Sequence, residues 1–305
     1  MAAPSDPDQI RDVNERYHDV AAVTYDSKWG IDFGEIGLQQ VSGKLEKVLG
    51  NPLPPLGRIV EIGAGTGYFS LNLLLGGACD EVVATDISQG MIDALEGNAK
   101  RLKLAVETHV CEAEALPLDD ESVDTVIGHA VLHHLPDLDA AFDEFYRVLK
   151  PGGMLFFGGE PSKLGDRIAS VPKTAAGRVS PLWRAAVRAR PAPAPHEDGS
   201  GTEEEHDLER VVDVHAFEPD ALSSPALHAG FTEVEVVGEE LLANWFGWTN
   251  RVLEASATPE DVPWAWRQYA YRGYLALQKV DRSLLEGKLP PAIFYNLLLG
   301  ARKPA

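Results

Sequence analysis

The stretch Arg58-Ile59-Val60-Glu61-Ile62-Gly63-Ala64-Gly65-Thr66-Gly67-Tyr68-Phe69-Ser70 sets three glycines on alternate positions directly after a short apolar run. Glycine admits positive φ and puts no Cβ between the backbone and a ligand. A strand, a glycine turn and a helix in that order mark where nucleotide-binding α/β folds hold their ligand. The spacing narrows the chemistry. A dinucleotide fingerprint reads G-x-G-x-x-G and aims a helix N-terminus at a pyrophosphate. Here the third glycine arrives one residue early, which argues against a nicotinamide-dependent dehydrogenase, and Glu61 precedes the turn. A carboxylate there suits a ligand with positive charge better than one with phosphates, although a buried acid bonding loop amides has the same signature. A second acid, Asp86, ends Val82-Val83-Ala84-Thr85-Asp86 and is placed to accept hydrogen bonds from ribose hydroxyls. An acid at this position also suits a helix cap.

The elements that must position these residues follow from periodicity. Residues 58–160 alternate apolar runs with amphipathic segments. This pattern predicts strands near 58–62, 81–86, 105–110, 123–128 and 153–158, with helices near 67–76, 88–101 and 137–149. Ser88 reads as an N-cap, and Pro151-Gly152-Gly153 as the end of the third helix and the turn into the fifth strand. Such alternation implies a parallel sheet covered on both faces. Residues 1–50 look helical after a loose start. Arg190 to Asp207 is too polar to bury a core and reads as a mobile acidic loop. Strand-like periodicity returns at Phe231 to Val237. A helical, aromatic-rich section covers about 240–286, and a last apolar run spans Ile293 to Leu299.

Together these segments resemble the class I S-adenosylmethionine-dependent methyltransferases. Glu61 to Gly67 and Asp86 are similar to the family's first two motifs. Cys111-Glu112-Ala113-Glu114-Ala115-Leu116-Pro117 resembles its G-D-A-E-x-L-P segment, with Cys for a common Gly and Glu112 for a common Asp. Ser122 to Ile127 with Leu132-His133-His134-Leu135-Pro136-Asp137 resembles the fourth-strand motif, and Leu149-Lys150-Pro151-Gly152-Gly153 the L-K-P-G-G turn. The likeness spans about 58–160. It implies S-adenosylmethionine as cofactor, with Gly63, Ala64, Gly65 and Gly67 against its methionine part and Glu61 orienting the amino group. Asp86 would hold the ribose, Ile87 and Met91 would flank the adenine, and Glu112 and Ala113 would meet the adenine edge. His129 would lie near the methionine tail, and Tyr25, in Tyr25-Asp26, would fold over the cofactor from the N-terminal segment.

Methyl transfer from a sulfonium is an in-line displacement with a neutral leaving group, so the protein mainly positions the partners and excludes water. A base is needed only where the attacking atom carries a proton to be removed. In open α/β sheets ligands sit beyond the carboxyl ends of the strands. The methyl acceptor therefore belongs beyond the fourth and fifth, where His133, His134 and Glu160 are candidate catalytic groups. A histidine here could equally cap the next helix or bond to backbone.

Four of six tryptophans, Trp245, Trp248, Trp264 and Trp266, gather with Phe246, Tyr269, Tyr271 and Tyr274. They read as the core of a helical subdomain, as an apolar acceptor pocket, or as both. Lys173, Arg178, Arg184, Arg188 and Arg190 form a basic stretch that reads as a solvated helix face rather than a receptor for an anionic acceptor. Glu203-Glu204-Glu205-His206 lacks a second histidine at ligand spacing, so no metal is expected.

Composition limits the partners. The 305 residues carry 27 Lys and Arg against 47 Asp and Glu, a formal charge of −20. That field repels phosphate backbones and anionic headgroups, so neither nucleic acid nor membrane is expected. Two cysteines, Cys79 and Cys111, and a polar N-terminus without an apolar h-region fit a cytoplasmic protein. The expected fold is α/β: a doubly wound, seven-stranded, mostly parallel sheet with an antiparallel last strand near 293–300 and a helical cover insertion. The expected parts are an N-terminal helical cap (1–50), a Rossmann-like cofactor core (51–160), an insertion (161–230) with the acidic loop 190–207, and C-terminal strands (231–305) whose helical aromatic section (240–290) covers the acceptor. The expected function is methylation of a small, apolar or aromatic molecule at O, C or N. The alternatives are a catalytically silent S-adenosylmethionine-binding protein and a non-methyl reaction with the same cofactor.

Overall fold

Seven strands form one sheet in the order β3-β2-β1-β4-β5-β7-β6, in a computed structural model that describes residues 6–22, 25–26, 30–192, 212 and 215–305. The strands are β1 (Arg58–Ile62), β2 (Glu81–Asp86), β3 (Glu107–Val110), β4 (Val123–His129), β5 (Leu149–Pro161), β6 (Thr232–Glu239) and β7 (Asn296–Arg302). The sheet is mixed, with β7 antiparallel to six parallel strands. β1 lies between β2 and β4, with Ile62 opposite Thr85 on one side and Gly128 on the other. The strand order reverses at this point, and a crevice opens beyond the carboxyl ends of β1, β2 and β4.

The helices of this core follow local rules. α1 (Pro7–Ala21) starts at Asp6, which accepts from the Asp8 amide at 3.0 Å. It buries Ile10, Val13, Asn14, Tyr17 and Ala21, one face at helical spacing. α2 (Glu35–Leu49) precedes β1, and α3 (Tyr68–Leu75) leaves the glycine turn. α4 (Gln89–Leu102) is capped by Ser88, whose Oγ accepts from the Met91 amide at 3.0 Å. α5 (Leu138–Val148) is capped by Asp137 through the Ala140 amide at 3.0 Å.

Two boundaries differ from the sequence reading. β3 begins at Glu107 rather than 105, because α4 closes on Lys103 at φ 60° and the chain turns before it extends. Pro151-Gly152-Gly153 lies inside β5 instead of preceding it. α5 stops at Val148, Leu149 already pairs with Val123, and Gly152 donates to the carbonyls of Lys303 and Pro304.

The chain divides into two compact units. The first comprises Met1–Glu160, Glu204–Val236 and Leu298–Ala305, and the second Pro161–Glu203 and Val237–Leu297. The two stretches read as separate insertions thus contribute to one unit, while the segment around α7 (Pro219–His228) belongs to the first. In the second unit α6 (Lys163–Val187) packs on α8 (Leu242–Ala255), which packs on α9 (Trp264–Val280). Asp281 accepts from the Leu242 and Ala243 amides, and Glu240 from Tyr274 Oη at 2.6 Å and Gln278 Nε2 at 2.8 Å. Lys173 of the basic stretch stands over Trp248 at 4.2 Å, and Arg190 pairs with Asp261 at 2.7 Å. None of the eight aromatic residues singled out in the sequence is buried, and Trp264 is 73% exposed. Much of the acidic loop, and Glu203, Glu204, Glu205 and His206, lie outside the described residues. Among the described residues no helix is long and apolar enough to cross a membrane, and no His, Cys, Asp and Glu cluster could hold a metal.

Candidate cofactor and acceptor site

The glycine turn is held open from behind. Gly63 and Gly65 take φ of 60° and 52°, a region L side chains rarely adopt. A Cβ on Gly63 would sit 2.5 Å from Val131 Cγ2, so this glycine permits close packing of the turn on the segment after β4. A Cβ on Gly65 would meet nothing within 4 Å, because Gly65 borders a cavity of about 740 Å³ that includes its open mouth. Gly67, at φ 89°, begins α3 away from the cavity.

Asp86 fastens the turn to the neighbouring helix. Its Oδ2 accepts from the Gly65 amide at 2.8 Å and its Oδ1 from the Ser88 amide at 2.9 Å. Burial raises the pKa of its carboxyl, against the lowering effects of nearby His18 and these amides. Glu61 is 2% exposed and lies behind the turn rather than on the cavity wall. Its Oε2 accepts from the Ser70 amide of α3 at 3.0 Å, and burial pushes its pKa up to about 8.

The other expected cofactor residues divide the same way. Tyr25, Gly63, Gly65, Asp86, Ile87, Glu112, Ala113 and His129 border the cavity. Ala64 and Met91 are buried behind it, Ala64 donating to the Thr85 carbonyl at 2.9 Å and Met91 lying in the α4 core. His129 stacks on Phe69 with centroids 4.5 Å apart, and burial raises the pKa of the Tyr25 phenol. Cys111 borders the cavity as a neutral thiol, its pKa pushed up to about 11 by burial.

The acceptor-side candidates are brought together, but only one of them reaches the cavity. Glu160 is fully buried. Its Oε1 accepts from the Val131 and Leu132 amides, both at 3.1 Å, and its Oε2 from the His133 amide at 3.1 Å and His133 Nδ1 at 2.8 Å. The carboxylate therefore builds the turn at residues 131–133, and His133 is clamped beside it behind the wall. His134 borders the cavity, and its Nδ1 donates to the Val212 carbonyl at 3.1 Å. Burial, then His133 and His18, hold its pKa well below the usual histidine value. It is a neutral imidazole with its lone pair on Nε2.

One wall was not read from the sequence. Arg11, Asn14 and His18 of α1 border the cavity at i, i+3 and i+7. Arg11 pairs with Glu112 at 3.0 Å and Glu114 at 3.3 Å. Asp19 Oδ1 accepts from Ser88 Oγ at 2.5 Å and from the Gly90 amide at 2.9 Å. The available signal was Asn14, a polar residue on an otherwise apolar helical stripe. All residues bordering the cavity belong to the first unit.

Residues 60–157 match the family described as methyltransferase domain. A malonyl-acyl-carrier-protein O-methyltransferase of Methylococcus capsulatus is 37% identical over 150 residues, which cover 45% of this chain and 53% of that protein. An uncharacterized protein of Mycobacterium tuberculosis is 29% identical over 146 residues, covering 47% and 53%. The chain thus spans about half the length of these relatives. Among solved structures, Haemonchus contortus phosphoethanolamine N-methyltransferase 2 in complex with S-adenosyl-L-methionine has a TM-score of 0.59 at 18% identity, covering 97% of this chain and 60% of that one. The 4+2 cyclase SpnF has a TM-score of 0.58 at 16% identity, covering 100% of both chains. These structural likenesses show the shared fold.

Proposed function

From the premise that residues 60–157 form a methyltransferase domain of the class I S-adenosylmethionine-dependent kind, we propose that the chain methylates a small, apolar or aromatic molecule. The observation that carries this reading is the cradle at Gly65: an open, side-chain-free stretch of backbone whose amide is fixed by Asp86, facing the cavity. It suits a ligand with a ribose and a positively charged group, since Asp86, Glu112 and Glu114 outweigh Arg11 along the walls. When bound, S-adenosylmethionine supplies an electrophilic methyl group on sulfur.

The residues then have distinct tasks in this proposal. Asp86 holds the ribose while keeping the Gly65 amide in place. Tyr25 and His129 bound the methionine side, and Ile87 and Ala113 the adenine side. Glu61 acts from behind by fixing the start of α3. His134, neutral and on the wall, takes a proton where the acceptor carries one. Glu160 and His133 position the turn that presents His134 rather than touching the reacting atoms. Calorimetry with S-adenosylmethionine and S-adenosylhomocysteine tests the cofactor part, and absence of binding refutes it. Release of S-adenosylhomocysteine on incubation with acceptor mixtures separates methyl transfer from silent binding and from a reaction that leaves the methyl group on sulfur.

A further inference from the structure

In the second unit, α6 turns its bulky residues outward. It buries Gly165, Ala169, Ala176 and Ser180. A Cβ on Gly165 would strike the Phe294 carbonyl, so these small residues let the helix lie close on its neighbours. A surface helix ordinarily does the reverse and sets its aliphatic stripe against the core. On α6, Leu164, Val171, Val179 and Leu182 are all exposed, Val171 by 69% and Leu182 by 75%. With exposed Ala175 they follow at steps of seven, four, four and three residues, which is one face of a helix. From Leu164 to Leu182 this ridge runs about 27 Å at 1.5 Å per residue. Exposed aliphatics scattered singly are ordinary, whereas a continuous row marks an interaction surface.

The charge along the ridge differs from that of the chain. Lys163–Val187 carries Lys163, Arg167, Lys173, Arg178 and Arg184 against one acid, Asp166. Lys173 and Arg184 turn inward, to Trp248 at 4.2 Å and to the Ser256 carbonyl at 3.2 Å. Lys163, Arg167 and Arg178 are exposed. Arg167 stands three residues after Leu164 and Arg178 seven after Val171, so both border the ridge. The formal charge of −20 predicts repulsion from anionic headgroups. Exposed charges are screened over about 10 Å at 0.1 M salt, however, so the local balance decides at this face. Trp183 and Trp266 touch with centroids 5.2 Å apart, which sets exposed Trp264 at the same end of the helices as Leu182. An indole suits a boundary that is apolar on one side and wet on the other.

We infer that the outer face of α6 docks on an anionic lipid surface, with the aliphatic ridge in the acyl boundary and Arg167 and Arg178 on the headgroups. Cations alone would suit any polyanion, but a phosphate backbone gains nothing from four aliphatic side chains. The ridge is also convex. A fluid bilayer closes round such a shape, where a folded partner needs a matching groove. The helix lies on the surface and does not span it, since it is not apolar enough to cross a membrane. This inference goes beyond the methyl-transfer reading and does not depend on it, because the whole of α6 belongs to the second unit and the cavity to the first.

The test is flotation of the full chain with vesicles of phosphatidylcholine, alone or mixed equally with phosphatidylglycerol. Binding to the mixed vesicles is expected to be about tenfold or more tighter, and to weaken with added salt. Arg167→Gln and Arg178→Gln should each weaken it about fivefold. Val171→Ser combined with Leu182→Ser should weaken it about tenfold or more. The melting temperature should stay unchanged, since exposed positions tolerate substitution. Should the serine pair not fold, the two glutamine variants decide alone. Equal binding to both vesicles, or binding that survives the glutamine and serine variants, overturns the inference. So does a chain that floats with neither, and self-association lost in Leu182→Ser would then assign the ridge to a second copy instead.

Discussion

The Gly65 amide donates to Asp86 Oδ2 at 2.8 Å, joining the glycine turn after β1 to the last residue of β2. The same carboxylate takes the Ser88 amide on its other oxygen, so the residue assigned to the ligand also holds the walls in register. Asp86→Ala should therefore lower affinity for S-adenosylhomocysteine by at least about a hundredfold, since hydrogen bonds to a charged group contribute roughly 1.5–3 kcal/mol each. Calorimetry measures this. An affinity within tenfold of wild type would remove Asp86 from the site.

Substitutions at the two glycines should separate binding from folding. Gly65→Val places its side chain in open space, at the cost of left-handed backbone strain of about 1–2 kcal/mol. The protein should fold, with a small loss in melting temperature, and fail to bind the cofactor. Gly63→Ala collides with Val131 and should unsettle the turn itself. Thermal melts paired with titrations distinguish the two outcomes.

Glu61 should make stability depend on pH. Folded, its carboxyl keeps a proton up to about 8, whereas the unfolded chain releases it near 4.5. Between those values the folded state binds more protons, so its stability falls as pH rises and levels off above about 8. Glu61→Gln keeps an acceptor for the Ser70 amide and should flatten that slope. At pH 8 the variant should melt higher than wild type, by about 2–4 °C for each kcal/mol relieved. Parallel slopes for the two proteins would contradict the assignment.

His134 and Glu160 should fail in different ways. His134→Ala should reduce kcat by about a hundredfold or more for an acceptor that loses a proton, with cofactor affinity intact. Because the ring is held neutral, wild-type kcat/KM should show no histidine limb near pH 6.5. Glu160→Gln presents an NH2 group to amide donors and should destabilise the fold on the order of 3 kcal/mol. A Glu160→Gln protein with normal stability and a shifted pH profile would return Glu160 to a direct role.

The glycine turn, Asp86 and the strand order were legible because each rests on local chemistry: φ signs, an acid at a strand end, alternating periodicity. The site's depth was not. Glu61 and Glu160 both read as groups facing a ligand, yet both are enclosed. Which lone pairs of a carboxylate are filled depends on how nearby amides converge. For Glu160 those amides come from a turn entered through Ala130 at φ 54°, which nothing in the residue types signals. Arg11, Asn14 and His18 read as ordinary helix polarity, and only docking of α1 turns that face inward. The aromatic section was legible as helical, but the exposure of Trp264, Tyr269 and Tyr271 follows from how α8 and α9 pack and not from composition.

The carboxylate of Asp19, set on the Gly90 amide and Ser88 Oγ, ties the wall formed by α1 to the start of α4. Arg11 pairs across to Glu112 and Glu114, and salt weakens such ion pairs while leaving the apolar contacts of Ile10, Val13 and Tyr17 intact. Added salt should quicken a turnover limited by departure of the bound molecule, and leave one limited by the chemical step unmoved.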